Sequence, residues 1–410
     1  MLPIVNWENP GTAPPWSSGA DYGIICVGRK YIMNADNMSR RAFCAGSLAF
    51  AGCDFVRRIL PQSDGGRYSV AVLGDTHYDA EPESVYHSHY DESNKWAKIQ
   101  HEEFRRNGEM WRERCPRMIA ASADLAKKRD TLFLLQMGDL IQGDCDDVPT
   151  HRKMLDDCIK LLRSPYPAAL PFLTVIGNHD FRGKGARKAY LDFAEGFMSA
   201  ELRRLCGEAP ASVRYPVFSF GVGPDVWVFC DFETRDLQPV IDAVEGAAAR
   251  HVFLVTHGPF VTADSGSFRW RLGGGKECDA LRPKLYEVLS RRHAIVLSGH
   301  THTTAFCRIE NEFGGFCEFT ANSVWAKPEL ATGEPMFSTV DDYGARWLKQ
   351  HTGGKLADFK ASLDFFRAGL KEYFYSHAAG HCRLDVSDDA VTVAFYPGDA
   401  REAAWTRSLL

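Results

Sequence analysis

Five short apolar runs in this chain break off into Asp, Asn or His, and this recurrence constrains the fold more than any other feature. Residues 68–73 lead into Gly74-Asp75-Thr76-His77, and 131–137 into Gly138-Asp139. Residues 171–176 lead into Gly177-Asn178-His179-Asp180, 251–256 into His257-Gly258-Pro259, and 294–298 into Gly299-His300-Thr301-His302. Runs of this length, rich in Val, Leu, Ile and Phe and closed by turn residues, read as buried strands. A lone Asn-His-Asp or Asp-x-His after a strand is an ordinary turn, because Asn and Asp tolerate left-handed backbone and cap their own loops. Five such endings in one chain are not explained as turns. Ligands collect at the carboxyl ends of sheet strands, and polar groups that gain little from burial are here placed at those ends repeatedly.

The stretches between the runs carry helical spacing. Residues 95–127, with Ile99, Phe104, Met110-Trp111, Met118-Ile119 and Leu125, predict one or two amphipathic helices packed on a sheet. Further helices are expected near 151–162 and 186–206, and a hairpin joins 217–220 to 226–230 through Gly223-Pro224-Asp225, with Asp231 at its end. Residues 316–322 predict another strand near the site. Residues 355–374, with Leu356, Phe359, Leu363, Phe366 and Leu370 at helical spacing, predict a core-packing helix, and 381–386 with 390–396 a closing hairpin. Strands alternating with helices point to an α/β fold.

At 410 residues, 45% hydrophobic and 25% charged, the chain has the composition of a folded globular protein, and one domain with insertions is expected. A net charge of −5 provides no basic footprint for a nucleic-acid partner. No apolar stretch reaches the roughly eighteen residues that a spanning helix needs. The twelve cysteines contain no Cys-x-x-Cys pair, which excludes a zinc knuckle and a thioredoxin-type motif and favours buried thiols.

The N-terminal region is read separately. Residues 1–37 carry Pro10, Gly11, Pro14, Pro15 and Gly19 without periodicity and are expected to be an upstream extension or a disordered segment, translation starting at Met33 or Met38. Residues 38–53 resemble a twin-arginine export signal: Arg40-Arg41, then a short apolar segment ending Phe50-Ala51-Gly52-Cys53. Cys53 is then the expected lipid anchor and the protein periplasmic or membrane-anchored. The alternative is a cytoplasmic chain in which Arg40-Arg41 opens an amphipathic helix.

The set Asp-x-His, Gly-Asp, Gly-Asn-His-Asp, His and Gly-His-x-His, in this order over residues 68–322, resembles the calcineurin-like metallophosphoesterase superfamily. The resemblance implies a four-layer α/β/β/α sandwich, two mixed sheets flanked by helices, over residues 54–410, with a helical insertion at about 330–380. It implies two metal ions. Asp75, His77, Asp139 and His302 would hold the first and Asp139, Asn178, His257 and His300 the second, with Asp139 as the bridge. His179 is not a ligand in this family but faces the substrate, and Asp180 is expected to orient it by accepting its ring N–H.

Imidazole, carboxylate and amide donors without thiolate suit Mn, Fe, Zn or Co. Two such ions roughly 3.5 to 4 Å apart generate hydroxide near neutral pH and stabilise an in-line displacement at phosphorus. The expected activity is hydrolysis of a small phosphodiester, phosphomonoester or nucleotide diphosphate. The alternatives are a non-catalytic scaffold on the same fold and a protein Ser/Thr phosphatase. Purple acid phosphatases place Tyr where this chain has Gln142, and Ser/Thr phosphatases carry Asp-Arg-Gly and a preceding Arg where it has Gln142-Gly143-Asp144 and Ile176. Both departures favour a bacterial phosphodiesterase or nucleotide-pyrophosphatase type. Tyr86-His87-Ser88-His89-Tyr90 reads equally as substrate contact and as surface loop, and His377 and His381 read as structural.

Overall fold

A computed structural model describes residues 55–60, 66–88, 95–128, 130–208, 213–324, 338–344 and 356–410. The N-terminal extension and the segment resembling an export signal, with Cys53, lie outside the described residues, as does His89.

The strands are β1 (Arg57–Arg58), β2 (Tyr68–Leu73), β3 (Thr131–Gln136), β4 (Phe172–Thr174), β5 (Val217–Val222), β6 (Asp225–Cys230), β7 (Val252–Thr256), β8 (Ile295–Ser298), β9 (Thr304–Asn311), β10 (Gly314–Thr320), β11 (Leu370–Ser376), β12 (Gly380–Val386), β13 (Val391–Pro397) and β14 (Trp405–Ser408). They form an eight-stranded sheet in the order β1-β5-β6-β7-β8-β10-β9-β11 and a six-stranded sheet in the order β14-β13-β12-β2-β3-β4. Both are mixed: β6, β7, β8 and β10 run parallel in one, as do β2, β3 and β4 in the other, with antiparallel strands at the flanks.

Period-two alternation explains the layering. In β2, Val70 and Val72 join the core between the sheets, whereas Ala71 and Leu73 face the opposite way. In β6, Trp227 and Phe229 enter that same central core and Val226, Val228 and Cys230 face outward. Parallel strands buried on both faces must be apolar at nearly every position, as these are. Helices cover the outer faces: α1 (Glu83–Tyr86), α2 (Lys95–Glu113), α3 (Cys115–Lys128), α4 (Val148–Arg163), α5 (Ala186–Cys206), α6 (Gln238–Gly246), α7 (Ser265–Arg269), α8 (Arg282–Arg291) and α9 (Leu356–Arg367). Helices α2 to α5 pack on the six-stranded sheet through Trp111, Ile119, Leu155 and Tyr190, among others. Helices α6, α8 and α9 pack on the eight-stranded sheet through Ile241, Leu285 and Phe359. The result is an α/β/β/α sandwich with two mixed sheets.

The segment 95–127 divides into two helices at Arg114, one residue before the Cys115-Pro116 pair that opens α3, because Pro116 has no N–H to bond the carbonyl four residues back and is tolerated only in the first turn of a helix. One expectation is corrected. The helix predicted over 355–374 stops at Arg367, and β11 follows as the edge strand on β9, with Tyr373, Phe374 and Tyr375 opposite Cys307, Phe306 and Ala305. Within the insertion predicted as helical, Leu370–Ser376 therefore extends the sheet, while Leu356–Arg367 is helical. Gly369 breaks the helix, and its close approach to Tyr286 Oη and the Glu310 carbonyl leaves no room for a Cβ. Beyond it, aromatic residues favour a paired strand.

The nine cysteines among the described residues are free, and all but Cys206 are buried. No helix among the described residues is long and apolar enough to cross a membrane.

Candidate metal centre

The parallel strands β2, β3 and β4 of one sheet and β7 and β8 of the other end on the same side of the sandwich, and their termini meet. Ligand atoms of Asp75, His77, Asp139 and His302 all lie within 4.8 Å of one another, and so do those of Asp139, His257 and His300. Asp139 belongs to both groups, and Asn178 Oδ1 lies 3.3 Å from His257 Nε2. Asp139 Oδ2 is 3.2 Å from His257 Nε2 and 3.5 Å from His77 Nε2, and Asp75 Oδ2 is 3.2 Å from His302 Nε2.

The backbone must turn sharply to bring these groups together. His77, Asp139, His300 and His302 all have positive φ, between 41° and 70°. Such a conformation costs a non-glycine residue about 1–3 kcal/mol and persists only where the surroundings dictate it. The preceding glycines serve close approach. A Cβ on Gly177 would overlap the backbone nitrogen and Oδ1 of Asp139, and one on Gly299 would overlap Asp75 Oδ1.

Neighbours fix the orientation of each ring. His77 Nδ1 pairs with Gln142 Oε1 at 3.0 Å, and Asn107 Nδ2 holds that oxygen from α2 at 2.6 Å. His257 Nδ1 donates to the Met137 carbonyl at 2.7 Å. Both rings thereby turn Nε2 toward the carboxylates, the arrangement that second-sphere partners impose on metal-binding histidines. The carboxylates are themselves held by backbone: His300 N donates to Asp75 at 3.0 Å, and His179 N to Asp139 Oδ1 at 2.7 Å.

The electrostatics of the site follow from burial and close approach. Asp75 and Asp139 are fully buried, and their ion-pair partners are imidazoles. Burial pushes the Asp139 carboxyl up, but the surrounding histidines, His257 first and then His179 and His77, together outweigh it and hold the group well below the carboxylate range. Burial likewise opposes charge on His257, yet Asp139 and Asp75 raise it to about 9. His77 and His300 are pushed down by burial, to about 4 and about 3. Facing ring nitrogens stand 3.0 Å apart in two pairs, His77 with His302 and His257 with His300. Converging imidazole nitrogens beside buried carboxylates are a donor set that fits divalent cations, with oxygen and nitrogen ligands and no thiolate.

Asp180 does not perform its expected task. Its Oδ2 accepts from Gly177 N at 2.8 Å, and its Oδ1 from Leu140 N at 2.9 Å and Ile141 N at 3.3 Å. It ties the β4 terminus to the β3 terminus, and burial with the nearby Asp139 pushes its carboxyl up to about 8. The His179 ring is held instead by the Gln142 carbonyl, 3.0 Å from Nδ1, and by Arg182, whose Nη1 lies 2.9 and 2.8 Å from the two ring nitrogens. The short turn over residues 179–181 explains the exchange: it folds Asp180 inward beneath the loop while His179 stays at the rim against His77, ring centroids 4.4 Å apart. Burial, then the charge of Arg182, hold the His179 imidazole well below its ordinary value.

Arg182, Gln142, Phe232 and Trp270 surround the site without belonging to any of the strand-end patterns. Arg182 pairs with Asp144 at 2.5 Å and with Gln100 of α2. Its sequence signal is a cation two residues beyond Asp180, a spacing too common to single out. His87 is buried, stacked on Phe104 at 3.7 Å and paired with Asp79 at 3.2 Å, which makes it part of the packing beneath the site. His381 stacks on Tyr396 at 5.1 Å, and its Nε2 lies 3.1 Å from the Ala400 carbonyl.

Among solved structures, the chain is similar to PhoD at 11% identity, covering 83% of this chain and 68% of that one with a TM-score of 0.46. It is similar to a purple acid phosphatase from seeds of yellow lupin (Lupinus luteus) at 11% identity, covering 83% and 53% with a TM-score of 0.46. It is also similar to a dimetal phosphatase from Danio rerio at 10% identity, covering 83% and 98% with a TM-score of 0.45. No curated protein sequence matches it. The family model for calcineurin-like phosphoesterases matches residues 68–304, the span that runs from β2 into β9 and carries all the converging strand ends. With that match over more than half its length, the chain belongs to the calcineurin-like phosphoesterase family.

Proposed function

We propose that the protein hydrolyses a small phosphoester, a phosphodiester, phosphomonoester or nucleotide diphosphate, at a pair of divalent cations of the Mn, Fe, Zn or Co type. Asp75, His77, Asp139 and His302 would hold one, and Asp139, Asn178, His257 and His300 the other. The observation that carries this reading is the shared carboxylate: Asp139 belongs to both ligand groups, which is what two adjacent ions require of a bridge. Ions so placed supply Lewis-acid activation of water and charge stabilisation at phosphorus.

The protein's own residues do the remainder. The Gln142 side chain fixes the His77 ring and the Gln142 carbonyl fixes the His179 ring, so one residue registers a ligand and a rim group together. Arg182 brings a guanidinium to the His179 face, where a planar fork of N–H donors suits phosphoryl oxygens. An arriving phosphoryl group would raise the His179 imidazole from the low value that burial and Arg182 impose, and the protonated ring could then donate to those oxygens or hand a proton to the departing one. The backbone N–H of His179 holds Asp139 independently of the ring.

The test is hydrolysis of bis(4-nitrophenyl) phosphate and 4-nitrophenyl phosphate by protein stripped with chelator and reloaded with Mn, Fe, Zn or Co. Bound metal is counted by mass spectrometry. Two ions per chain, with both bound metal and turnover lost in Asp139→Ala, are expected. Hydrolysis that survives Asp139→Ala, or protein that takes up no metal, overturns the proposal.

A further inference from the structure

Trp270 is 47% exposed, and among the described residues it is the exposed large apolar side chain whose ring lies against a candidate ligand, 5.7 Å from the His300 ring. Its position is built. The Trp270 N–H donates to the Gly266 carbonyl at 3.0 Å, and Leu272 N to the Pro259 carbonyl at 2.8 Å. The Trp270 carbonyl runs so close to Gly258 that a Cβ there would sit 2.6 Å from it. The backbone of Trp270 is thereby pinned beside Gly258, next to His257 in the chain, while the indole stays half in solvent against His300.

Phe232 completes the surface. Its N–H donates to the Ile176 carbonyl at 3.1 Å, which fixes it at the β4 terminus. Its ring lies 5.1 Å from His300, 5.4 Å from His257 and 6.4 Å from Trp270. The Phe232 and Trp270 planes are inclined at 41°, too close to admit a ring between them, so the surface offered to solvent is the outer side of the indole. Exposure of a rigid aromatic at the mouth of a polar site is a mark of ligand contact.

We infer that Trp270, backed by Phe232, is a stacking platform for a planar aromatic ring carried by the substrate, and that the substrate is therefore of nucleotide type. The inference rests on the phosphoester reading above and names the substrate class of that same site. Stacking is tolerant of which base is present, because every base has a π face. A quaternary ammonium group, the other usual guest of an exposed indole, needs a locally negative or neutral setting. The ring partners of Trp270 are His300 and Phe232, neither of them anionic.

The experiment is calorimetric titration of Mn-reloaded protein with adenosine 5′-monophosphate and with ribose 5-phosphate, which share the phosphate and sugar and differ in the base. Wild type is expected to bind the nucleotide about tenfold more tightly, the size of one base–aromatic stack. The ratio should collapse toward one in Trp270→Ala and be largely kept in Trp270→Phe. A ratio near one in wild type, or one that Trp270→Ala leaves intact, overturns the inference. So does a preference for phosphocholine over phosphoethanolamine that disappears in Trp270→Ala. Failure of loaded wild type to bind either sugar phosphate overturns the phosphoester reading beneath it. A ratio near one in wild type, with ribose 5-phosphate still bound and aryl phosphate still cleaved, overturns only the platform.

Discussion

Asp180→Asn separates two roles for the carboxylate at the end of the β4 loop. If Asp180 oriented His179, the amide would impair turnover and leave the fold intact. In the structure it accepts three backbone N–H groups, from Gly177, Leu140 and Ile141, and no ring nitrogen. An asparagine in the same place keeps one oxygen and turns an NH2 group toward a backbone donor, whatever the protonation of the native carboxyl. At least one buried N–H is then orphaned, at a cost of about 1–3 kcal/mol. Asp180→Ala strips all three and should cost more, about 3 kcal/mol or above after partial relaxation. The assay is urea unfolding of the chelator-treated protein, followed by metal stoichiometry and turnover of the reloaded protein. The expected order is wild type, then D180N, then D180A in stability, with metal retention falling in parallel because the loops that carry Asp139 and Asn178 lose their tie. A D180N protein with wild-type unfolding and full metal content, yet turnover as low as that of His179→Ala, would refute this assignment and restore a direct partnership with His179.

Two further outcomes are expected. His179→Ala should lower turnover about 10²- to 10⁴-fold while leaving metal content close to wild type, because the backbone N–H that holds Asp139 survives the substitution; mass-spectrometric metal counting checks it, and equal loss of both would contradict the role. Glu318 is buried beneath the loop after β7, accepting from Phe260 N, Val261 N and Ser298 Oγ, and burial raises its carboxyl from 4.5 to about 7. Because the folded value lies above the unfolded one, its contribution to stability is complete below pH 4.5 and is lost as pH rises through about 7, a change on the order of 3 kcal/mol. Glu318→Gln should lack this component, so the difference in unfolding free energy between wild type and variant should shrink from pH 4.5 to pH 7; a difference independent of pH would show that Glu318 is ionised throughout.

Much of the architecture was legible in local pattern. Strands β2, β3, β7 and β8 follow from apolar runs whose alternate residues serve two cores, and helices α4 and α5 from spacing alone. The end of α9 was not legible, because Leu370 continues the helical spacing of Phe359, Leu363 and Phe366. What stops the helix is the crowding at Gly369, between Tyr286 and Glu310, together with the open edge of β9. Both are contacts between segments far apart in the chain.

The site divides along the same line. Sequence by itself determined which side chains stand at strand termini, because a strand's polarity and its closing glycine are written within a few residues. It therefore determined the donor chemistry, carboxylate, amide and imidazole without thiolate. Only the tertiary structure decided which of those groups meet, since Asp75 and Asp139 belong to one sheet and His257 and His300 to the other, and their distances depend on how the two sheets pack. Only the tertiary structure turned Asp180 inward onto three backbone amides, gave His179 to Gln142 and Arg182, and set Trp270 and Phe232 at the mouth. Hydrogen bonds and ring contacts act over 3–6 Å in space and carry no fixed separation along the chain, so their partners cannot be read from spacing.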